Sequence, residues 1–190
     1  MNNLKKIQNT LGYTDYEMAV LKYVLMTLFS ELSKLLIFSI FWFHQDKGIE
    51  FIFCFLIFLL LRTCSGGLHF NSYISCLLCS FCYFILCINV LPIIKLEKWQ
   101  KLLLLFFSIF VVYYHSPVVS QHRKEPPQSK KRRAKLQLFI VIFIYLLVMY
   151  IMQPFPLLDV GFWCIILHTI QLYIAYSKNT RKEKKNEEET

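Results

Sequence analysis

The apolar residues of this chain fall into six blocks: Ala19 to Phe43, Phe51 to Leu61, Tyr73 to Val90, Leu102 to Tyr114, Leu136 to Met152 and Val160 to Tyr176. Charged and turn-forming residues separate them. Each block is predicted to be a membrane helix, and several are short. The second holds only eleven residues, against the roughly 20 that a perpendicular helix needs to cross the hydrocarbon core. It must borrow flanking residues, thin the bilayer or stop short of crossing. Pro92 ends the third block, and Pro154 and Pro156 follow the fifth. Ahead of the first block, Leu4, Ile7 and Leu11 recur at helical spacing with Lys5 and Lys6 beside them. This pattern suits a short amphipathic helix lying on the membrane surface, with a solvated tail as the alternative. The polar opening is too long for a secretory signal.

Composition supports the lipid setting. Of the 190 residues 56% are hydrophobic and 18 are Phe, and the mean hydropathy is +0.48. A soluble domain of this size has too little interior to hide so much apolar surface. The fold expected is therefore an all-α membrane protein of about six transmembrane helices with a short N-terminal amphipathic helix. Residues 1–176 form one polytopic domain, and residues 177–190 a charged, disordered tail. No internal repeat is visible.

The net charge of +9 sits in the connections and at the C-terminus. Clusters of this kind beside apolar spans mark the cytoplasmic side of a membrane more often than a nucleic-acid surface. Six spans put both termini on one side. That side also carries Arg62, Arg123, Lys124, the run Lys130, Lys131, Arg132 and Arg133, and Lys135, whereas the other side holds Lys47, Lys95, Lys98 and Lys101. The asymmetry predicts a multi-pass membrane protein with both termini and the segment from Arg62 to Asn71 in the cytoplasm.

Polar residues are scarce enough that their grouping is informative. The richest group spans residues 62–76, between the second and third blocks, and contains Arg62, Cys64, Ser65, Gly66, Gly67, His69, Asn71, Ser72 and Cys76. The glycine pair permits a sharp bend, and Asn71 or Ser72 can cap the helix that follows. A nucleophilic cysteine needs a base or a cation that favours its thiolate, and His69 is a candidate base for Cys76. On one continuous helix the two would lie about 10 Å apart along the axis. The dyad therefore requires the helix to begin after His69. The plain alternative is an interfacial histidine and a packing cysteine.

Seven cysteines, an odd number with no loop-to-loop pattern, argue against an extracellular disulfide frame. Most are expected to pack as small apolar residues. Cys76, Cys79 and Cys82 recur every three residues, which leaves a metal or thiol–disulfide role as an alternative, but three residues per step drift around a helix. No metal and no cofactor is expected. Glu31 and Lys34, mid-span at i,i+3, are close enough to pair. Charges at such depth usually serve function or face the protein interior. His168 and Gln171 pose the same question in the last span, while His115 and His122 are expected in a water-facing loop.

In order and spacing, Arg62, Gly67, His69 and Cys76 resemble the signature of the accessory gene regulator B family, bacterial membrane endopeptidases that process quorum-sensing propeptides. Length and span pattern agree over most of the chain. The basic loop after the fourth block is similar too, although Ser116 and Pro117 stand where Ala-Pro is usual and Lys124, Glu125 and Pro126 follow Asn-Lys-Pro only loosely. The resemblance implies a cysteine peptidase with His69 as base and Cys76 as nucleophile. Such an enzyme cuts a small propeptide toward its C-terminal side and holds the new C-terminus as a thioester. A Cys or Ser of the peptide then attacks that thioester and closes a thiolactone or lactone ring. The resemblance favours a supporting or substrate-positioning role for Arg62 and makes Gly67 a backbone requirement. From their depth in the span Glu31 and Lys34 are expected in a supporting role, with a structural ion pair as the alternative, and Arg123, Lys130, Lys131, Arg132 and Arg133 are expected to contact substrate or lipid. The expected partners are the propeptide, the bilayer and a second copy of the chain, with no nucleic acid. The competing classes are a small peptide transporter or exporter without proteolytic activity, and a membrane scaffold.

Overall fold

The computed structural model describes residues 14–65, 72–116, 127–152 and 155–188. The expected amphipathic helix before residue 14 lies outside them. Among the described residues the chain is all helix and turn. Six long helices follow one another: α1 (Asp15–His44), α2 (Gly48–Ser65), α3 (Tyr73–Ile85), α4 (Lys98–His115), α5 (Gln128–Ile151) and α6 (Pro156–Glu188). Five helical stretches are long and apolar enough to cross a membrane, those of α1, α2, α5, α6 and α3 continued to Ile93. The chain is thus an all-α membrane protein. Helix α4 has 18 residues; with Lys98 and Lys101 in its first turns and His115 at its end, it is not among those five.

Local chemistry explains most boundaries. Thr14 caps α1 in a reciprocal box: Glu17 N–H donates to Thr14 Oγ1 at 3.3 Å, and the Glu17 carboxylate accepts from the Thr14 N–H at 2.9 Å, so two backbone donors at the helix start are satisfied. A tight turn through Asp46, at φ 56°, joins α1 to α2. The short second block does borrow its flanks, Gly48 to Glu50 before and Arg62 to Ser65 after. Beyond α3 the helix widens into a π turn at Leu86–Val90 and tightens to a 3-10 turn at Leu91–Ile93. Pro92 has no N–H to continue the α ladder, and its ring crowds the preceding turn.

Two connections differ from the sequence pattern. Helix α5 starts directly after Pro127, so Lys130 to Arg133 and Lys135 ride on its first turns instead of in a loop. Proline is tolerated only at a helix start, and the Gln-Ser-Lys-Lys-Arg-Arg-Ala-Lys run beyond it contains good helix formers. Helix α6 continues to Glu188, through the segment whose composition suggests a disordered tail. That segment is rich in Lys and Glu, which suit a helix.

The core forms where α2 and α6 meet, with α5, the π turn and α1 around them. Trp42, Phe51, Phe84, Leu61 and Phe162 are almost fully enclosed, and Trp42 stacks on Phe51 at 6.4 Å. Gly161 allows the close approach of three helices: a Cβ there would lie 2.5 Å from Tyr145 Oη and 2.7 Å from Ile57 Cδ1. Small residues serve this purpose between membrane helices, where packing must replace the hydrophobic effect. Cys54, Cys87 and Cys164 are buried in the same region. The Tyr83 hydroxyl donates to the Cys164 carbonyl at 2.7 Å, and Cys164 Sγ donates to the Cys54 carbonyl at 3.5 Å. These cysteines are packing residues, as expected.

Successive helices alternate in direction. Contacts between Lys98 and Tyr150, Lys101 and Asp159, and His115 and Tyr176 make α4 antiparallel to α5 and parallel to α6. One end of the bundle therefore gathers the ends of α2, α4 and α6 with the starts of α3 and α5. His115 is the last residue of α4, with Nδ1 2.9 Å from the Val111 carbonyl and its ring against Tyr173 and Tyr176. It packs inside the bundle end and not in a loop.

Candidate functional site

The site is built on the face that α1 turns toward α3. The two helices run parallel, and their contacts climb in step: Ser33 meets Tyr73, Lys34 meets Cys76, and Phe38 and Phe41 meet Phe81. Residues three or four apart fall on one helix face, so Ser33 to Phe41 and Tyr73 to Phe84 each present a stripe. The upper part of the seam is aromatic. The lower part is polar.

Cys76 lies at the end of the first turn of α3, half-buried, and its N–H makes the opening helical bond, to the Ser72 carbonyl at 3.1 Å. Ser72 itself has extended backbone, with φ −107° and ψ 136°, and its side chain makes no capping bond. The helix therefore begins at Tyr73. The bend expected at Gly66 and Gly67 lies outside the described residues. His69, Gly67 and the alternative cap Asn71 lie outside the described residues, as do Arg123 and His122.

Lys34 reaches this cysteine from α1. Its side chain is buried, with 5% of its surface exposed, and its Nζ donates to Glu31 Oε1 at 2.7 Å and to Cys76 Sγ at 3.3 Å. The Tyr73 ring lies 5.7 Å below the same ammonium, and the Tyr73 hydroxyl is 2.8 Å from Ser33 Oγ. A buried lysine ammonium requires partners for its donors, and here it has a carboxylate, a sulfur and an aromatic face. Glu31 and Lys34, which the sequence places together, do pair. Their junction with Cys76 is visible only in three dimensions, and so is the part played by Tyr73 and Ser33. The one signal the sequence carried for these two was polar atoms at the depth of the charged pair.

Other named residues stand apart. Arg62, in the last turn of α2, holds its guanidinium 5.5 Å from the Phe58 ring and is half-buried. Lys130, Arg132 and Arg133 are exposed and Lys131 is half-buried, all at the same end of the bundle as Cys76. Cys79 is half-buried and Cys82 exposed along α3. His168 is enclosed in the core, its Nε2 2.7 Å from Ser65 Oγ and its ring edge-on to Phe58; Ser65 as its partner was not legible in the sequence.

Comparison with known proteins gives one family. The family described as accessory gene regulator B matches residues 2–172, which takes in every residue of this site. No curated protein and no solved structure matches the chain.

Proposed function

Because the chain belongs to the accessory gene regulator B family, we propose that it is a membrane-embedded cysteine endopeptidase that cuts a small propeptide and promotes its cyclisation. Family membership itself assigns the chain to quorum-sensing peptide processing. The cysteine chemistry is our finer reading.

One observation carries it. The helix bearing Cys76 starts at Tyr73, from a residue with extended backbone. His69 stands before that start in the sequence, which supports a histidine–cysteine dyad: on one continuous helix the two would lie about 10 Å apart along the axis. In this reading His69 takes the thiol proton and the Cys76 thiolate attacks the scissile carbonyl carbon. The C–N bond then breaks as the imidazolium returns its proton to the leaving amine. The peptide's new C-terminus is left as a thioester on Cys76. A Cys thiol or Ser hydroxyl within the peptide loses its proton to His69 and attacks the thioester carbonyl, and Cys76 leaves as a thiolate while the ring closes. Transfer to an internal nucleophile conserves the acyl activation that hydrolysis would dissipate. It also needs water kept away, which suits a site framed by apolar helices.

The gathering of Arg62, Cys76 and Lys130 to Arg133 at one end of the bundle supports a cytoplasmic placement of that end, since basic residues concentrate on that side. Arg62 and the basic start of α5, with Arg123, would then meet an acidic segment of the propeptide or lipid headgroups. We extend the proposal to a homodimer.

The test is co-expression with a short candidate propeptide that carries a central Cys or Ser. Cys76→Ala and Cys76→Ser should abolish cleavage while membrane insertion stays normal, and Cys79→Ala and Cys82→Ala should retain most activity. Undiminished cleavage by Cys76→Ala would overturn the assignment. Loss in all of these variants would point to a metal or redox role for the three cysteines.

A further inference from the structure

We propose that Lys34 is the counter-cation of the Cys76 thiolate, a positioning residue that holds negative charge on the sulfur in both the cleavage and the ring-closing step. The inference rests on the assignment of Cys76 as nucleophile.

Three features of the geometry lead to it. First, Lys34 Nζ is 3.3 Å from Cys76 Sγ, within bonding range of a sulfur acceptor. Second, the same Nζ is 2.7 Å from Glu31 Oε1. That contact fixes the ammonium beside the sulfur, and in this reading Lys34 is a positive charge and not the base that removes the thiol proton. It remains a fixed positive charge, and the proton must go elsewhere, to His69 in the reading above. Third, the side chain is buried, where a charge is less screened and acts more strongly on a neighbour.

Glu31 does not need Lys34 buried to pair with it. The carboxylate side of the pair is 54% exposed and the lysine side only 6%. A pair serving only itself would sit where both ends reach water or headgroups, because desolvating an ammonium is costly. Here the lysine is drawn into the seam, onto the sulfur and the Tyr73 ring. Among the described residues, the Tyr73 ring faces the same ammonium, and Cys79 on α3 lies within electrostatic reach of Cys76, Cys82 and Arg62.

The chemical consequence is symmetrical. In cleavage the S–H bond breaks, the proton leaves with the base and the electron pair stays on sulfur beside the ammonium. In ring closure the C–S bond of the thioester breaks and the same electron pair returns to the same place. Stabilising the thiolate makes it both more abundant as a nucleophile and better as a leaving group.

The experiment uses the full-length protein in lipid nanodiscs and iodoacetamide as probe, with alkylation of the Cys76-containing peptide followed by mass spectrometry across a pH series. Lys34→Gln should slow Cys76 alkylation at neutral pH about tenfold or more and displace the pH–rate profile upward, since an adjacent opposite charge is typically worth at least a factor of ten in thiolate population. Lys34→Arg should restore most of the rate. Glu31→Gln should move the profile the other way, with alkylation faster, because it removes a negative charge near the sulfur and leaves the cation. A merely structural ion pair would give Lys34→Gln and Glu31→Gln effects of the same sign. Lys22→Gln, on the exposed part of α1, is the control and should leave the rate unchanged. If Lys34→Gln does not insert, the sign of the Glu31→Gln shift decides: slower alkylation overturns the proposal. Normal alkylation in Lys34→Gln, with Cys76→Ala inactive in propeptide cleavage, would refute the role of Lys34 alone. An active Cys76→Ala would refute the nucleophile assignment itself.

Discussion

Among the described residues two lysines, Lys34 buried and Lys101 half-buried, pair with carboxylates, and they are put to different use. Lys101 of α4 pairs with Asp159 of α6; the side chains are 13% and 35% exposed, and the pair ties two helices together at the end of the bundle opposite Cys76. Lys34 pairs with Glu31 on its own helix, one turn back. A carboxylate on the same helix joins nothing to anything else. What α1 gains from that pair is a cation held in place and turned toward α3, where it meets a thiol. A lysine–carboxylate pair therefore makes a clamp when the partner is on another helix and a poised charge when it is on the same one.

The comparison can be broken most sharply by activity. Cys76→Ala should lower propeptide cleavage by at least about a thousandfold, as loss of a nucleophile does. Lys101→Ala should lower it less than about threefold once the amount of inserted protein is matched. A collapse of activity in inserted, stable Lys101→Ala would mean that the clamp belongs to the catalytic machinery, and the division drawn above would fail.

Stability should rank the other way. Truncating Lys101 leaves Asp159 partly buried without its cation and should cost about 1–3 kcal/mol, read as a lower unfolding temperature in detergent. Glu31→Gln, at a side chain that is 54% exposed, should cost no more than about 0.5 kcal/mol. Equal losses would show that both pairs are structural.

Packing gives a control that involves neither lysine. Gly161→Leu would drive a side chain into Tyr145, Ile57 and Phe53 and should destabilise the bundle by about 1–3 kcal/mol. The pH profile of Cys76 alkylation in the protein that still inserts should not move. A displaced profile would mean that the sulfur's environment depends on the whole core and not on Lys34.

The smallest perturbation tests the placement of the two ends. A cysteine at exposed Asp46, in the turn between α1 and α2, should react with an impermeant maleimide from outside the cell. One at exposed Ser129, at the start of α5, should react only after permeabilisation. Labelling of both from the same side would contradict the alternation of helices together with the orientation inferred from charge.

Much of the fold was legible from residue types because the bilayer imposes a simple rule: every backbone polar group within lipid must be bonded internally, so an apolar block of sufficient length is a helix. The blocks beginning at Phe51 and Tyr73 became α2 and α3 on that ground, and Pro92 ended the third where expected. The boundaries at Gln128 and Glu188 were not legible. Charged sequence is compatible with loop, tail or helix, and the hydrophobic pattern is silent beyond the apolar blocks.

The site divides in the same way. By itself the sequence determined that the chain lies in a membrane, that Glu31 and Lys34 are one helical turn apart, and that a helix can begin between His69 and Cys76. These are matters of composition and of spacing within one segment. Only the tertiary structure decided that Lys34 meets Cys76, 42 residues away, that His168 meets Ser65, 103 residues away, and that Lys101 spends its charge on Asp159. Which lysine finds a thiol and which a carboxylate depends on the register at which α1 lies along α3 and α4 along α6. Along α1 and α3 that register follows the interlocking of Phe38, Phe41, Phe81 and Phe84, and no spacing within a single helix encodes either register.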